Sequence, residues 1–183
     1  MTTARPPTIL CVDDNDNALT LRKLVLEQAG YNVLPASDAA AALKLFNSHT
    51  IHLVISDHLL PDLTGIEVTR EMKLRRPFVP MILISGVTEL PADAEHADLF
   101  LDKAGGTTEM LQSVADLLRR SRISEGKYFA EIRCDKRFNP VIWHYTIQRV
   151  RTCEIIAWSQ ACTEKTAIHE AREQMREMNL RRR

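Results

Sequence analysis

Four short apolar runs in this chain each stop on a residue type that can do chemistry. Thr8 to Val12 ends on Asp13-Asp14, Ile51 to Ser56 on Asp57, Met81 to Ile84 on Ser85-Gly86, and Leu99 to Leu101 close to Lys103. Three carboxylates brought together repel one another unless a cation sits among them. Oxygen ligands without Cys or His suit magnesium, which keeps waters and favours phosphate as a co-ligand. Lys103 and Ser85 add a point charge and a hydroxyl donor for the remaining phosphoryl oxygens. These are parts for phosphoryl transfer onto Asp57. Helix capping does not account for Asp57, because the next helical pattern resumes at Ile66 and Asp62 or Thr64 lies nearer its start.

Such residues, far apart in the chain, converge only if their strands run parallel and end along one edge, where open α/β sheets place ligands. The intervening segments fit that demand. Asn15 or Asp16 can cap a helix with Leu19, Leu21–Leu24 and Leu26 on its buried side, ended by Gly30. Tyr31 to Leu34 reads as a second strand and Asp38 to Phe46 as a second helix. Ile66 to Arg75 and Thr107 to Arg119 read as further helices, and the proline-containing stretch from Ser85 to Leu99 holds at most one or two helical turns. Strands alternating with helices predict a doubly wound five-stranded parallel sheet.

The 45% hydrophobic and 26% charged composition is that of an ordinary globular chain. No apolar run approaches the roughly 18–20 residues of a membrane span, and no secretory signal pattern opens the chain. Cys11, Cys134, Cys153 and Cys162 lack zinc-type spacing, so reduced thiols and a cytoplasmic setting are expected. The zero net charge conceals a division. Residues 1–122 carry 12 Lys/Arg against 16 Asp/Glu, whereas residues 123–183 carry 12 against 8. Two units of different purpose are expected: residues 1–121, a linker over 122–126, and a smaller α+β domain over 127–183.

ILCVDD, LVISDHLLPDLTG, ILISG and LFLDK resemble, in order and spacing, the response-regulator receiver domain of two-component signalling over residues 8–121. The resemblance implies a flavodoxin-like fold and an Asp57 that accepts a phosphoryl group from a histidine kinase or phosphotransfer protein. It implies magnesium held by Asp14, Asp57 and the backbone carbonyl of Leu59, with Asp13 helping through water. It also implies a switch pair, Ser85 and Phe100, and a phosphate-binding Lys103. Leu59 and Val87 match the positions flanking the hydrolytic water's approach. Ala104 departs from the proline that usually follows the lysine. His58 reads as a surface side chain.

The C-terminal stretch reads as a β-β-β-α unit: Tyr128 to Cys134, Val141 to Ile147, Cys153 to Trp158, and a helix capped by Thr163. Its Ile168, Ala171, Met175 and Met178 stripe is core-facing. Cys134 and Cys153 read as packed thiols on paired strands. A protein-interaction or homodimerisation module is the preferred reading. Lys136, Arg137, Arg149 and Arg151 near Trp143 and Tyr145 leave nucleic-acid binding by a transcription factor as the alternative. A receiver serving only as a phosphate-independent scaffold is a third.

Overall fold

The structure is a computed structural model that describes residues 6–61, 63–86, 97–118, 121–135, 142–152 and 154–180. It divides into two compact units, Met1–Leu118 and Arg119–Arg183. The first contains β1 (Thr8–Val12), α1 (Asp16–Gln28), β2 (Asn32–Ala36), α2 (Ala39–Ser48), β3 (Leu53–Asp57), α3 (Gly65–Arg75), β4 (Met81–Ser85), β5 (Leu99–Asp102) and α4 (Gly106–Leu118). The five strands pair in parallel in the order β2-β1-β3-β4-β5. Chain order reverses between β1 and β3, which opens a crevice at their carboxyl ends. Pro35 is tolerated in β2 because that strand is an edge.

Every residue of β3 and β4 is buried, as strands covered on both faces require. Alternate side chains serve opposite layers. Ile9, Cys11, Leu53, Ile55, Ile82, Ile84 and Leu101 pack with Leu19 and Leu26 of α1 and Met110 and Val114 of α4. Leu83 packs on the other face with Ile66 of α3 and with Ala97. A capping box starts α3: Thr64 accepts from Glu67 N–H, and the Glu67 carboxylate accepts from Thr64 N–H. The hydrogen bonds from Thr64 hold the Glu67 carboxyl below its usual range.

Helix α1 corrects the expected buried stripe. Leu21 and Leu24 are 57% and 52% exposed, while Leu19, Arg22 and Leu26 face inward. The inward spacing is three and four residues, as one helical face demands, and it carries an arginine into the apolar stripe. The end of α3 is tied to the sheet by another buried cation. Lys73 Nζ donates to Asp98 Oδ2 at 2.6 Å and to the carbonyls of Val79 and Pro77 at 2.8 and 3.3 Å. Asp98 Oδ2 also accepts the Met81 N–H at 2.8 Å.

The second unit holds β6 (Ser121–Glu125), β7 (Tyr128–Asp135), β8 (Ile142–Arg149), β9 (Ile155–Ala161) and α5 (Glu164–Leu180). It is an antiparallel sheet in the order β6-β7-β8-β9 with one helix, not a three-stranded one. The additional strand β6 takes Ser121, expected to end the first domain, and four of the five residues expected to form the 122–126 linker. Its sequence, SRISE, has one apolar residue and no alternation, so only pairing with β7 makes it a strand. Gly126, at φ +60°, turns β6 into β7. Ala171 and Met175 of α5 are fully buried against the sheet with Ile168 and Met178 packed beside them, as the stripe predicted, and Ala167, outside that stripe, is fully buried as well.

Among the described residues no helix is long and apolar enough to cross a membrane. The helical turns expected between Ser85 and Leu99 fall mostly, and Asp62, Val87, Lys136, Arg137 and Cys153 fall entirely, outside the described residues.

Removing Asp98 takes away the carboxylate 2.6 Å from the buried Lys73 ammonium. Asp98→Ala should therefore lose about 3–5 kcal/mol of stability by urea denaturation. A loss under about 1 kcal/mol would show that the pair does not tie α3 to the sheet.

Candidate functional site

The carboxyl ends of β1 and β3 bring Asp13, Asp14 and Asp57 together. One carboxylate oxygen from each lies within 4.8 Å of the others; Asp13 and Asp57 are buried and Asp14 is exposed. At an effective dielectric of about 20, the two buried charges at that separation repel by roughly 3 kcal/mol. Cations offset this from two directions. Lys103, 46 residues beyond Asp57, places Nζ 2.6 Å from Asp57 Oδ2. Arg22, reaching in from α1, places NH2 3.0 Å from Asp13 Oδ2.

Backbone groups complete the positioning. Asp13 Oδ1 accepts the Asn15 N–H at 2.9 Å, and Asp57 Oδ1 accepts the Leu59 N–H at 3.4 Å. Asn15 caps α1 by accepting from Asn17 and Ala18. Lys103 stands on a single 3₁₀ turn, Lys103–Gly105, whose start is fixed by Asp102 accepting the Ala104 N–H at 2.8 Å. That cap presents Lys103 to Asp57 with alanine at the following position. Gly106, at φ +78°, then admits the chain into α4.

His58 corrects its expected surface placement. Its N–H donates to Ile84 O and its carbonyl accepts from Gly65 N–H, both at 2.8 Å, so the turn is drawn down and the side chain is buried. Gly65 is required there because a Cβ would lie 2.1 Å from the Asp57 carbonyl oxygen. Leu59, next in the turn, is 59% exposed at the rim. Ser85 is buried and pairs with Asp102, while Phe100 pairs with Leu83 two steps back along the same ladder. Phe100 is half-buried against Ile66, Leu83 and Ala97. The Cys11 thiol behind the site is pushed up to about 12, by burial above all; Arg22 lowers it and Asp13 raises it.

Sequence reasoning missed Arg22, Gly65 and Asp102. The signal for Arg22 was present as a charge at the seam position between Leu19 and Leu26. Gly65 and Asp102 carry no comparable signal, since their roles come from a close approach and a cap visible only in three dimensions.

The three carboxylates are an all-oxygen donor set suited to a hard divalent cation, and the magnesium expected from the sequence fits them. A doubly wound sheet with an acid cluster and a facing lysine at its carboxyl edge defines a receiver-type protein. Residues 9–115 match the model of the response regulator receiver domain, and the chain belongs to that family. The alkaline phosphatase synthesis transcriptional regulatory protein PhoP of Bacillus subtilis is 32% identical over 120 residues, which is 63% of this chain and 50% of PhoP. The CAI-1 autoinducer sensor kinase/phosphatase CqsS of Vibrio cholerae is 34% identical over 108 residues, which is 59% of this chain and 15% of CqsS. The chain thus spans half or less of these curated relatives. Among solved structures, the Thermotoga maritima response regulator TrrA, in complex with Mg²⁺ and BeF, superposes with a TM-score of 0.59 at 30% identity. That match covers 62% of this chain and 99% of TrrA.

Gly65→Ala must push the start of α3 away from the Asp57 carbonyl. It should cost about 1–3 kcal/mol in urea denaturation, the usual penalty for an overpacked site. Wild-type stability in this variant would show that the approach has slack.

Proposed function

We propose that Asp57 is the phosphoacceptor of a two-component response regulator, charged by a histidine kinase or a phosphotransfer protein. The observation that carries this reading is the 2.6 Å contact of Lys103 with Asp57 inside a cluster of three carboxylates. In the transfer, an Asp57 carboxylate oxygen attacks phosphorus, and the phosphorus–nitrogen bond of the donor phosphohistidine breaks with its electron pair leaving on the imidazole. Lys103 then moves its hydrogen bond from the carboxylate to a phosphoryl oxygen, and the Ser85 hydroxyl donates to another. Asp13, Asp14, Asp57 and the Leu59 carbonyl would hold magnesium, which when bound neutralises charge on the acids and the phosphoryl group. The protein's contribution is positioning and electrostatic stabilisation. Movement of Ser85 toward the phosphoryl group frees space on the face it shares with Phe100, and ring-in and ring-out states are then biased by phosphate.

We assign the second unit to protein interaction or dimerisation. Tyr145, one of the aromatics that would stack on bases, is buried against α5, where it donates to Glu170 at 3.3 Å and accepts from Gln174 at 2.9 Å. Burial, foremost, raises its phenol pKa. Arg149 is engaged with Glu154 at 2.5 Å. Tyr145 is thus withheld from base stacking, which favours the interaction reading.

Acetyl phosphate with magnesium should label the wild type and leave Asp57→Asn unlabelled on a phosphate-affinity gel. Label persisting in the mutant would remove Asp57 from this role, and undiminished labelling in EDTA would remove the requirement for magnesium.

The lifetime of the phosphoaspartate follows from the rim. Leu59 is exposed there and offers the hydrolytic water no hydrogen bond. Wild-type decay should take minutes to hours, and Leu59→Asn should shorten it up to about tenfold, equivalent to roughly 1.4 kcal/mol of positioning. Decay within seconds in the wild type, or unchanged decay in the variant, would contradict rim control.

A further inference from the structure

Asp13 is fully buried, and both of its oxygens are already engaged: Oδ1 by the Asn15 N–H and Oδ2 by Arg22. Arg22 is only 9% exposed, and among the described residues its NH1 has no partner. A guanidinium stays charged in a protein, so this is a fixed positive charge beside the acid cluster. The unpartnered NH1 is a desolvation cost that the contact of NH2 with Asp13 offsets only in part. Arg22 and Asp13 both line an open cavity of about 440 Å³ that runs from the end of β1 between α1, α4 and the ends of β4 and β5, with Leu21, Leu101, Lys103 and Met110 among its walls. The guanidinium therefore has room to leave Asp13 without entering the packed core.

We propose that Arg22 is a resident counter-ion that stands in for the divalent cation at Asp13 and yields toward this cavity when the cation binds. The inference rests on the reading of Asp13, Asp14 and Asp57 as a magnesium site. Without metal the cluster sets three carboxylates against two cations, Arg22 and Lys103, close to balance. A dication arriving at Asp13 meets the repulsion of Arg22, so its binding is weakened by the work of displacing that charge. The Asn15 N–H keeps the Asp13 carboxylate in place when Arg22 moves aside. Removing the charge of Arg22 then has two opposite consequences: the metal binds more tightly, and the metal-free protein is less stable. A residue that only packed α1 against the sheet would produce the second effect and not the first.

The full chain is titrated with MgCl₂ by calorimetry at constant ionic strength, for the wild type, Arg22→Gln and Arg22→Lys. Thermal midpoints are read in EDTA and in saturating Mg²⁺. Arg22→Gln should bind Mg²⁺ about tenfold more tightly, with a lower midpoint in EDTA and a deficit that closes in Mg²⁺. Arg22→Lys, which keeps the charge, should stay near wild-type affinity. Equal or weaker Mg²⁺ binding by Arg22→Gln, or an equal midpoint deficit in both buffers, overturns the proposal. Should Arg22→Gln be unfolded in EDTA, it must fold on adding Mg²⁺, and failure to do so also overturns it. Absence of any Mg²⁺ binding by the wild type would instead remove the metal reading on which the proposal rests.

Discussion

Charge balance at the carboxyl ends of two neighbouring strands is the constraint around which the receiver unit is arranged. Parallel pairing places β1 beside β3 and so forces Asp13 and Asp57 into one crevice. Burial makes their mutual repulsion matter, since water no longer screens it as it does at exposed Asp14. Each buried acid is answered by a cation from an element that closes the crevice: Lys103 from the turn after β5 and Arg22 from α1. Closing the fold and neutralising the site are the same event. Lys103 and Arg22 are therefore the cations nearest to any charge added or removed there.

The strand alternation that builds the core also sorts the site. Asp13 continues the parity of Ile9 and Cys11, and Asp57 that of Leu53 and Ile55, so both carboxylates belong to the layer covered by α1 and α4. Ser85 continues the parity of Leu83, which faces α3 and shares its cluster with Phe100. The acid cluster and the pair Ser85 and Phe100 therefore lie on opposite layers of one sheet and meet at its edge. Gly65 and the buried His58 join them, since the turn after Asp57 is bonded both to β4 and to α3.

The second unit obeys different rules. Its antiparallel strands bury one face under α5, with Tyr145 held by Glu170 and Gln174, and its first strand has little intrinsic preference for extended structure. Such an edge strand exists because β7 offers it a ladder. Of the aromatic residues that invited a nucleic-acid reading, Tyr145 is a core residue and Trp143 packs partly buried beside it.

Much of the receiver was legible in the residue order. Apolar β-branched runs ending on Asp13, Asp57 and Ser85 define strand, edge and chemistry together, because the period of a buried strand and the position of its last residue are local properties. Lys103 was legible as a fixed step beyond a strand. Other features depended on tertiary structure. Arg22 lies at a helical seam position indistinguishable by period from a core leucine, and only the approach of Asp13 shows why a charge can be buried there. Strand β6 has no pattern of its own, and the hydrogen bonds that define it belong equally to β7. His58 is buried because two backbone partners from distant segments pull its turn inward. Local periodicity and strand-end chemistry determined the elements and the acid set. Long-range pairing decided which charges face each other, since electrostatic partners are chosen by distance in space and not along the chain.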